Sequence, residues 1–454
     1  MPNKTDKQKI KLLLLPFILF RSILWITFIF ILVSCNTTEP PPKVINGTAE
    51  LTVEDVSSTE AWLSLKTQNI NLPAELKLFR EDSVTQIINL SSADTLLYDE
   101  GLQPNQTYTY HSIISSFQNS AEVKSNNANL TTLDTTSHNF SWQTYTFGGS
   151  GGSSYLNDVA IISENDIWAV GEINIADTSQ NGYTTYNAVH WDGNSWELKR
   201  IMWDNSASRL TCVLAFASDD VWFGVTNLIH WNGNNFEKNW NPILNEFTDK
   251  TVNAMWGTSS SDFYVVGNNG KIAHYNGSEW SKIESGTDLN INDIWGDYNK
   301  KNGEYEILAV ASKILQSTDR DILKISNTGV EKLDETGINW SLHGIWFKNS
   351  RKYYAVGSGI YRKNKMTDKR WDNNWQQITQ YYINSVRGKE INDVFMCGAF
   401  GEVLHYNGKS WYSYLNKGLP YFNGSMVKLS YKRNKVCIVG SDGRVGIIYL
   451  GTKN

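Results

Sequence analysis

What most constrains the fold of this chain is a unit that returns along its last two thirds. The first copy reads Asn157-Asp158-Val159, then Asp166-Ile167-Trp168-Ala169-Val170-Gly171, then His190-Trp191-Asp192-Gly193-Asn194-Ser195-Trp196. Later copies give Asp220-Val221-Trp222-Phe223-Gly224 with His230-Trp231-Asn232-Gly233, and Asp262-Phe263-Tyr264-Val265-Val266-Gly267 with His274-Tyr275-Asn276-Gly277 and Trp280. Another gives Asp393 to Gly398 with His405-Tyr406-Asn407-Gly408 and Trp411. The closing glycines fall at Gly171, Gly224, Gly267, a degenerate Val310-Ala311, Gly357, Gly398 and Gly440, at spacings of 41 to 53 residues.

That period is the length of a four-stranded β-propeller blade, and apolar residues on both faces of the second strand suit sheets buried between neighbours. The Asp-Gly and Asn-Gly pairs between third and fourth strands are expected to form type I′ hairpins, which need positive φ at both central residues. The seventh copy ends at Asn454 without a fourth strand. Upstream, Phe140-Ser141-Trp142-Gln143-Thr144-Tyr145-Thr146-Phe147 has the look of a fourth strand. It is expected to complete the last blade beside Arg444 to Leu450, so that no sheet edge is left open between the first and last blades. The expected fold class is therefore all-β, with a seven-bladed propeller over 139–454 closed by an N-terminal strand.

At the other end, Lys4 to Lys11 is basic, and the apolar run Leu12 to Val33 follows, ending in Leu32-Val33-Ser34-Cys35. That tetrapeptide resembles a bacterial lipobox, which implies a signal peptide over 1–34 and lipidation of Cys35. An uncleaved membrane helix would place Arg21 mid-bilayer, at a cost of about 2.5–3.5 kcal/mol. Residues 35–44 then form a proline-rich tether.

Residues 45–136 carry short alternating segments such as Trp62-Leu63-Ser64-Leu65 and Leu76-Lys77-Leu78-Phe79, which read as strands. Within them, Gly101-Leu102-Gln103-Pro104-Asn105-Gln106-Thr107-Tyr108 resembles the fibronectin type III signature, with Gln106 where that family usually has Thr. The resemblance implies a β-sandwich in which Tyr108 makes a corner hydrogen bond. Cys212, Cys397 and Cys437, each in an expected strand, read as buried small hydrophobes rather than disulfide partners. A net charge of -5 with no basic stripe argues against nucleic acid as a partner.

Catalytic patterns are hard to find. His190, His230, His274 and His405 share one repeat position on the third strand, and equivalent positions on different blades cannot converge on one metal; each is expected to support its hairpin. Repeated aromatics such as Trp168, Trp222, Tyr264, Trp196, Trp280 and Trp411 read as inter-blade packing. Asp158, Asp293 and Asp393 fall near expected strand starts or ends, where Asp is an ordinary turn residue. Gly148 to Ser153 reads as a flexible crossing from the closing strand to the first blade. No catalytic residues, metal or cofactor are assigned.

As a whole the chain resembles exported lipoproteins of Gram-negative bacteria that join a fibronectin type III module to a propeller with kelch-like or photosystem-assembly-factor-like repeats. The resemblance implies a lipid-anchored location in the cell envelope, at the outer membrane, periplasmic or surface-exposed. The function expected is a non-enzymatic scaffold binding a protein or carbohydrate ligand, with membrane association through the lipid anchor. The alternative is a glycan-processing enzyme, a hydrolase or lyase, with its acids at the propeller mouth. Ligand contacts are expected on the face carrying the second-to-third and fourth-to-first connections. Their non-repeated aromatics are Tyr183, Tyr186, Trp203, Phe247, Trp340, Tyr382 and Tyr421.

Overall fold

A computed structural model describes residues 47–116, 122–245, 251–313, 315–326 and 329–454, of which Gly47–Asn454 belong to one compact unit. The leader over 1–34, the tether over 35–44 with Cys35, and Phe247 lie outside the described residues.

Each repeat folds as an antiparallel sheet in sequence order, giving blades 1 to 7 over 155–199, 212–239, 252–284, 291–333, 342–363, 383–413 and 425–453. Phe140–Gly148 pairs with Val445–Lys453, from Val445 opposite Gly148 to Lys453 opposite Phe140. The chain thus closes its own ring, and the edge of Val445–Lys453 is covered by a strand from the start of the ring.

The hydrophobic core is divided among the seven junctions between blades. Blades 1 and 2, for example, bury Trp168 and Val170 against Val213 and Phe223, and blades 7 and 1 bury Ile448 and Leu450 against Leu156 and Ile167. Each remaining junction has its own cluster. Burying one Phe in such a seam contributes about 1.5–3 kcal/mol. Cys212, Cys397 and Cys437 are buried free thiols, as expected of small apolar residues in these sheets.

Three features differ from the sequence expectation. First, blade 5 has three strands, Leu342–Lys348, Arg351–Gly357 and Gly359–Lys363. Where a fourth would lie, only a bridge joins Arg362 to Asp372, and Trp371 fills the space with its backbone amide donated to Thr336 O at 2.7 Å. Second, the hairpins are four-residue turns rather than type I′ turns. Trp191 pairs with Trp196, and only the glycine of each Asp/Asn-Gly pair has positive φ. The Asp192 carboxylate accepts the amides of Asn194 and Ser195 at 2.8 and 2.7 Å, and Asn232, Asn276 and Asn407 do the same in their turns. A side chain that caps the next two amides favours this turn over the two-residue one. Third, Asp158 and Asp293 lie within first strands that line the channel, and Asp393 is buried under His405; none is a turn residue.

The four repeated histidines do support their hairpins. Each Nε2 meets the Asp that opens the second strand of its own blade, at 2.8 Å for His190 and Asp166 and 2.9 Å for His230 and Asp220. His274 pairs with Asp262 and His405 with Asp393 in the same way. Each imidazole also stacks on the second-strand aromatic, with 4.2 Å between the rings of His190 and Trp168. One histidine therefore ties the third strand of a blade to its second at two points.

Before the ring, two sheets share a core that includes Leu51, Leu63, Leu76, Leu97, Tyr110 and Leu130. One sheet is Thr48–Val56, Glu60–Gln68 and Asp94–Glu100; the other is built on Ala74–Arg80 and Thr107–Ser116. Tyr108 Oη accepts the amide of Gln103 at 2.9 Å.

This two-sheet module docks on the ends of blades 4 to 6 that carry the first-to-second and third-to-fourth turns, here called the lower face. Glu60 pairs with Lys352 and Glu54 with Arg351, both within the buried seam. Thr59 Oγ1 donates to Gly408 O at 3.1 Å, and Asn392 Nδ2 to Asp134 O at 3.1 Å. Gly408 has a φ of +95°, as the other hairpin glycines have +89° to +97°, and a Cβ there would collide with Ser58 Oγ. Only glycine fits both the turn and the docked module.

The connecting segment is clipped down by two imidazoles. His138 Nδ1 lies 2.8 Å from His405 Nδ1, so one ring must donate and the other accept. Burial, then the neighbouring His405, pushes the His138 pKa down to about 4. In an unfolded chain it sits near the ordinary value of about 6.5. Between those values the unfolded chain binds more protons, so stability is fully present above about pH 6.5 and falls as pH drops toward 4. Denaturation midpoints measured from pH 7 to 4.5 should fall with pH, and His138→Gln should flatten that dependence.

Candidate functional site

The opposite ends of the blades, the upper face, carry the second-to-third turns and the fourth-to-first connections. First strands line the central channel, and in blades 1, 3, 4, 5, 6 and 7 each is interrupted by a bulge near its upper end. The bulged residues are Asn157, Asn253, Asn292, His343, Asn384 and Val427. A bulge re-aims one side chain out of the ladder, and here it points along the ring. Asn157 Nδ2 donates to Leu210 O at 2.7 Å, Asn253 to Ile291 O at 3.0 Å, Asn292 to Leu342 O at 2.8 Å and Asn384 to Met426 O at 2.8 Å. His343 Nδ1 bonds Asn384 O at 2.8 Å. The rim of the channel is thus a belt of amides, each fastened to the next blade.

Below the belt a charged bar crosses the channel. Arg387 donates to both oxygens of Asp293 at 2.8 Å, and Lys428 Nζ lies 2.8 Å from Asp293 Oδ1. Burial raises the affinity of Asp293 for a proton, but Arg387 and Lys428 outweigh it and hold the carboxyl well below the usual range. Asp158 shows the reverse, since burial pushes its pKa up although it accepts the amides of Val159 and Val213. Above the bar is a well of about 310 Å³ and below it a chamber of about 180 Å³.

Around blades 4 to 7 the upper face carries an arc of apolar side chains. Leu315 is 70% exposed, Trp340 45% and Tyr421 51%. The Leu315 amide donates to Ser341 Oγ at 3.0 Å, which sets Leu315 beside Trp340. Further round, Phe400 stacks on Tyr421 with 5.5 Å between centroids, and Tyr381 lies 5.4 Å from Phe400. Leu315 and Phe400 have φ of +62° and +58°, a region bulky side chains rarely adopt. Backbone strain of this kind persists where surrounding structure enforces it, and it concentrates at sites of function.

Among the aromatics expected to bind ligand, Trp340 and Tyr421 stand exposed on this arc. Tyr382 is half-buried, with its hydroxyl enclosed and its pKa raised by burial. Tyr183 and Tyr186 lie on the long hairpin of blade 1, where Tyr186 packs on the seam with blade 7. Trp203, between blades 1 and 2, packs against that junction with Lys238 Nζ 5.9 Å from its ring centre. These three belong to blades 1 and 2 and are not gathered with Trp340 and Tyr421. Sequence reasoning missed Leu315, Phe400 and Trp240, the last 62% exposed at the end of a blade 2 strand. Their absence from the repeat's aromatic positions was the available signal.

No protein-family model matches the sequence. No curated protein matches it either. The solved structures define the class, a β-propeller. The structure of YCF48 bound to D1 peptide is similar, with a TM-score of 0.52 at 16% identity, covering 70% of this chain and 99% of that one. YCF48 from Cyanidioschyzon merolae gives 0.48 at 14% identity, covering 68% and 98%, and the WD40 propeller domain of Doa1 gives 0.45 at 10%, covering 69% and 98%.

Proposed function

We propose that this protein is a cell-envelope lipoprotein, held by lipid on Cys35, that acts as a non-enzymatic scaffold for a protein segment bound across its upper face. One observation carries the reading. The two-sheet module occupies the lower face beneath blades 4 to 6, while the exposed apolar side chains Leu315, Trp340 and Tyr421 stand over the same part of the ring on the upper face. Rimmed apolar patches of this kind mark interaction sites. That YCF48 has been captured with a D1 peptide supports a protein ligand over a carbohydrate. The hydrogen bond of Tyr108 to Gln103 supports a fibronectin type III reading of the N-terminal module. Glycan processing would need two carboxylates free for acid and base work; Asp293 is instead held by Arg387 and Lys428.

A photo-crosslinking residue placed at Trp340 or Tyr421 in the full chain, in cells, should trap a protein partner. The same residue at Tyr298, exposed on the blade 4 turn of the lower face, should trap far less. Equal trapping at all three positions would contradict an upper-face site. Anchoring is tested separately: Cys35→Ala should abolish fatty-acid labelling, because the thioether lipid supplies the membrane affinity. Labelling that survives the substitution would remove the lipoprotein reading.

A further inference from the structure

We infer that the well at the upper mouth of the channel takes a carboxylate of the bound segment, either a free C-terminus or an acidic side chain; this builds on the upper-face reading above. The chain carries a net charge of -5, yet none of the described residues lining the well is acidic, while Arg209 and Lys428 both reach it. Arg209 makes no ion pair among the described residues. Its guanidinium is nevertheless fixed in place, 4.8 Å above the Tyr155 ring and donating to Asn157 Oδ1 at 2.9 Å. A guanidinium held by a ring and one amide keeps donors free in the fork that matches a carboxylate.

Lys428 forms the floor. It shares Asp293 with Arg387, which already donates to both oxygens of that carboxylate, and Lys428 itself lines the well. The other channel acid, Asp158, directs its oxygens to the backbone amides of Val159 and Val213. Asn253 and Asn292 complete polar walls. At about 310 Å³ the space is at the small end of ligand pockets. It therefore suits the end of a chain or one side chain.

The well also adjoins the arc. The His343 ring in its wall lies 6.3 Å from that of Tyr382, which follows Tyr381 in the arc. A peptide lying over Trp340 and the Phe400 and Tyr421 stack could place its carboxylate on Arg209 and Lys428. A bound carboxylate would accept charge-assisted hydrogen bonds there.

The test is calorimetric titration of the full chain with three probes: acetyl-Tyr-Gly with a free C-terminus, its C-terminal amide, and acetyl-Asp amide. At least one of the two acids should bind saturably, and at least about tenfold more tightly than the uncharged amide. Arg209→Gln, an exposed position that leaves the fold intact, should cost the acids about tenfold. Tighter binding of acetyl-Tyr-Gly assigns a C-terminus; tighter binding of acetyl-Asp amide assigns an acidic side chain. Equal binding of acid and amide, full binding by Arg209→Gln, or no saturable acid binding would overturn the inference, as would tighter binding of glucuronate than of either peptide acid. Crosslinking at Trp340 that persists in such a case would leave the upper-face reading standing without the carboxylate site.

Discussion

Replacing Lys352 with Met is expected to cost about 3–5 kcal/mol, because it strips the partner from a carboxylate that stays buried. The side chains of Lys352 and Glu60 are 3% and 9% exposed, and the pair joins the N-terminal module to blade 5. Burial would lower the Lys352 pKa, but Glu60 beside it raises it above the ordinary value, so the ammonium stays charged. In Lys352→Met, Glu60 must either take up a proton or leave the seam. The double variant Lys352→Met, Glu60→Gln removes both charges and should recover most of the loss. Urea denaturation gives the magnitude, and limited proteolysis between residues 132 and 139 shows whether the module lifts off. Unchanged midpoints and protection in the single variant would show that the seam is held by something else.

Removing the closing strand should have the other large effect. A chain beginning at Thr136 keeps Phe140–Gly148 and should give a cooperative unfolding transition. One beginning at Gly149 exposes the whole edge of Val445–Lys453 and strips Tyr145 and Phe147 from Trp191 and Trp196. It also removes Phe140 from the cluster of Phe395, Tyr414 and Tyr431. Two seams fail together and a long strand edge opens, so aggregation in place of a cooperative transition is expected. A soluble, cooperatively folding chain from Gly149 would show that the ring closes without this strand.

The blades were readable because their signals are local: a glycine after the second strand, an Asp-Gly or Asn-Gly turn, an aromatic on either side. Ring closure could be read from the same signals, since Phe140 to Phe147 resembles its counterparts residue by residue. The three-stranded blade 5 was not, because Trp371 fills the space of a strand without imitating its pattern. The channel escaped for a different reason. Arg387 and Lys428 lie 94 and 135 residues from Asp293, and no local period links them. The amide belt left a trace, Asn before the first-strand apolar run at 157, 253, 292 and 384, but its meaning depends on bulges that only pairing reveals. Trp340 and Tyr421 could be singled out by falling outside the repeat, whereas their separation from Tyr183, Tyr186 and Trp203 is a property of the closed ring.

The docked module also governs how the ring would answer a mechanical load entering at Gly47. The closing strand begins at Phe140, opposite Lys453, at the outer end of its ladder. Tension arriving there would peel the hydrogen bonds one pair at a time, the geometry in which a β-ladder resists least. Tension entering at Gly47 meets the pairs of Glu54 with Arg351 and Glu60 with Lys352 first, and these pass it to blade 5. Next comes His138, clipped to His405 and to the hydroxyl of Tyr414. The module therefore works as a strain relief, diverting a pull that enters at Gly47 into the body of the ring before it reaches the closing strand.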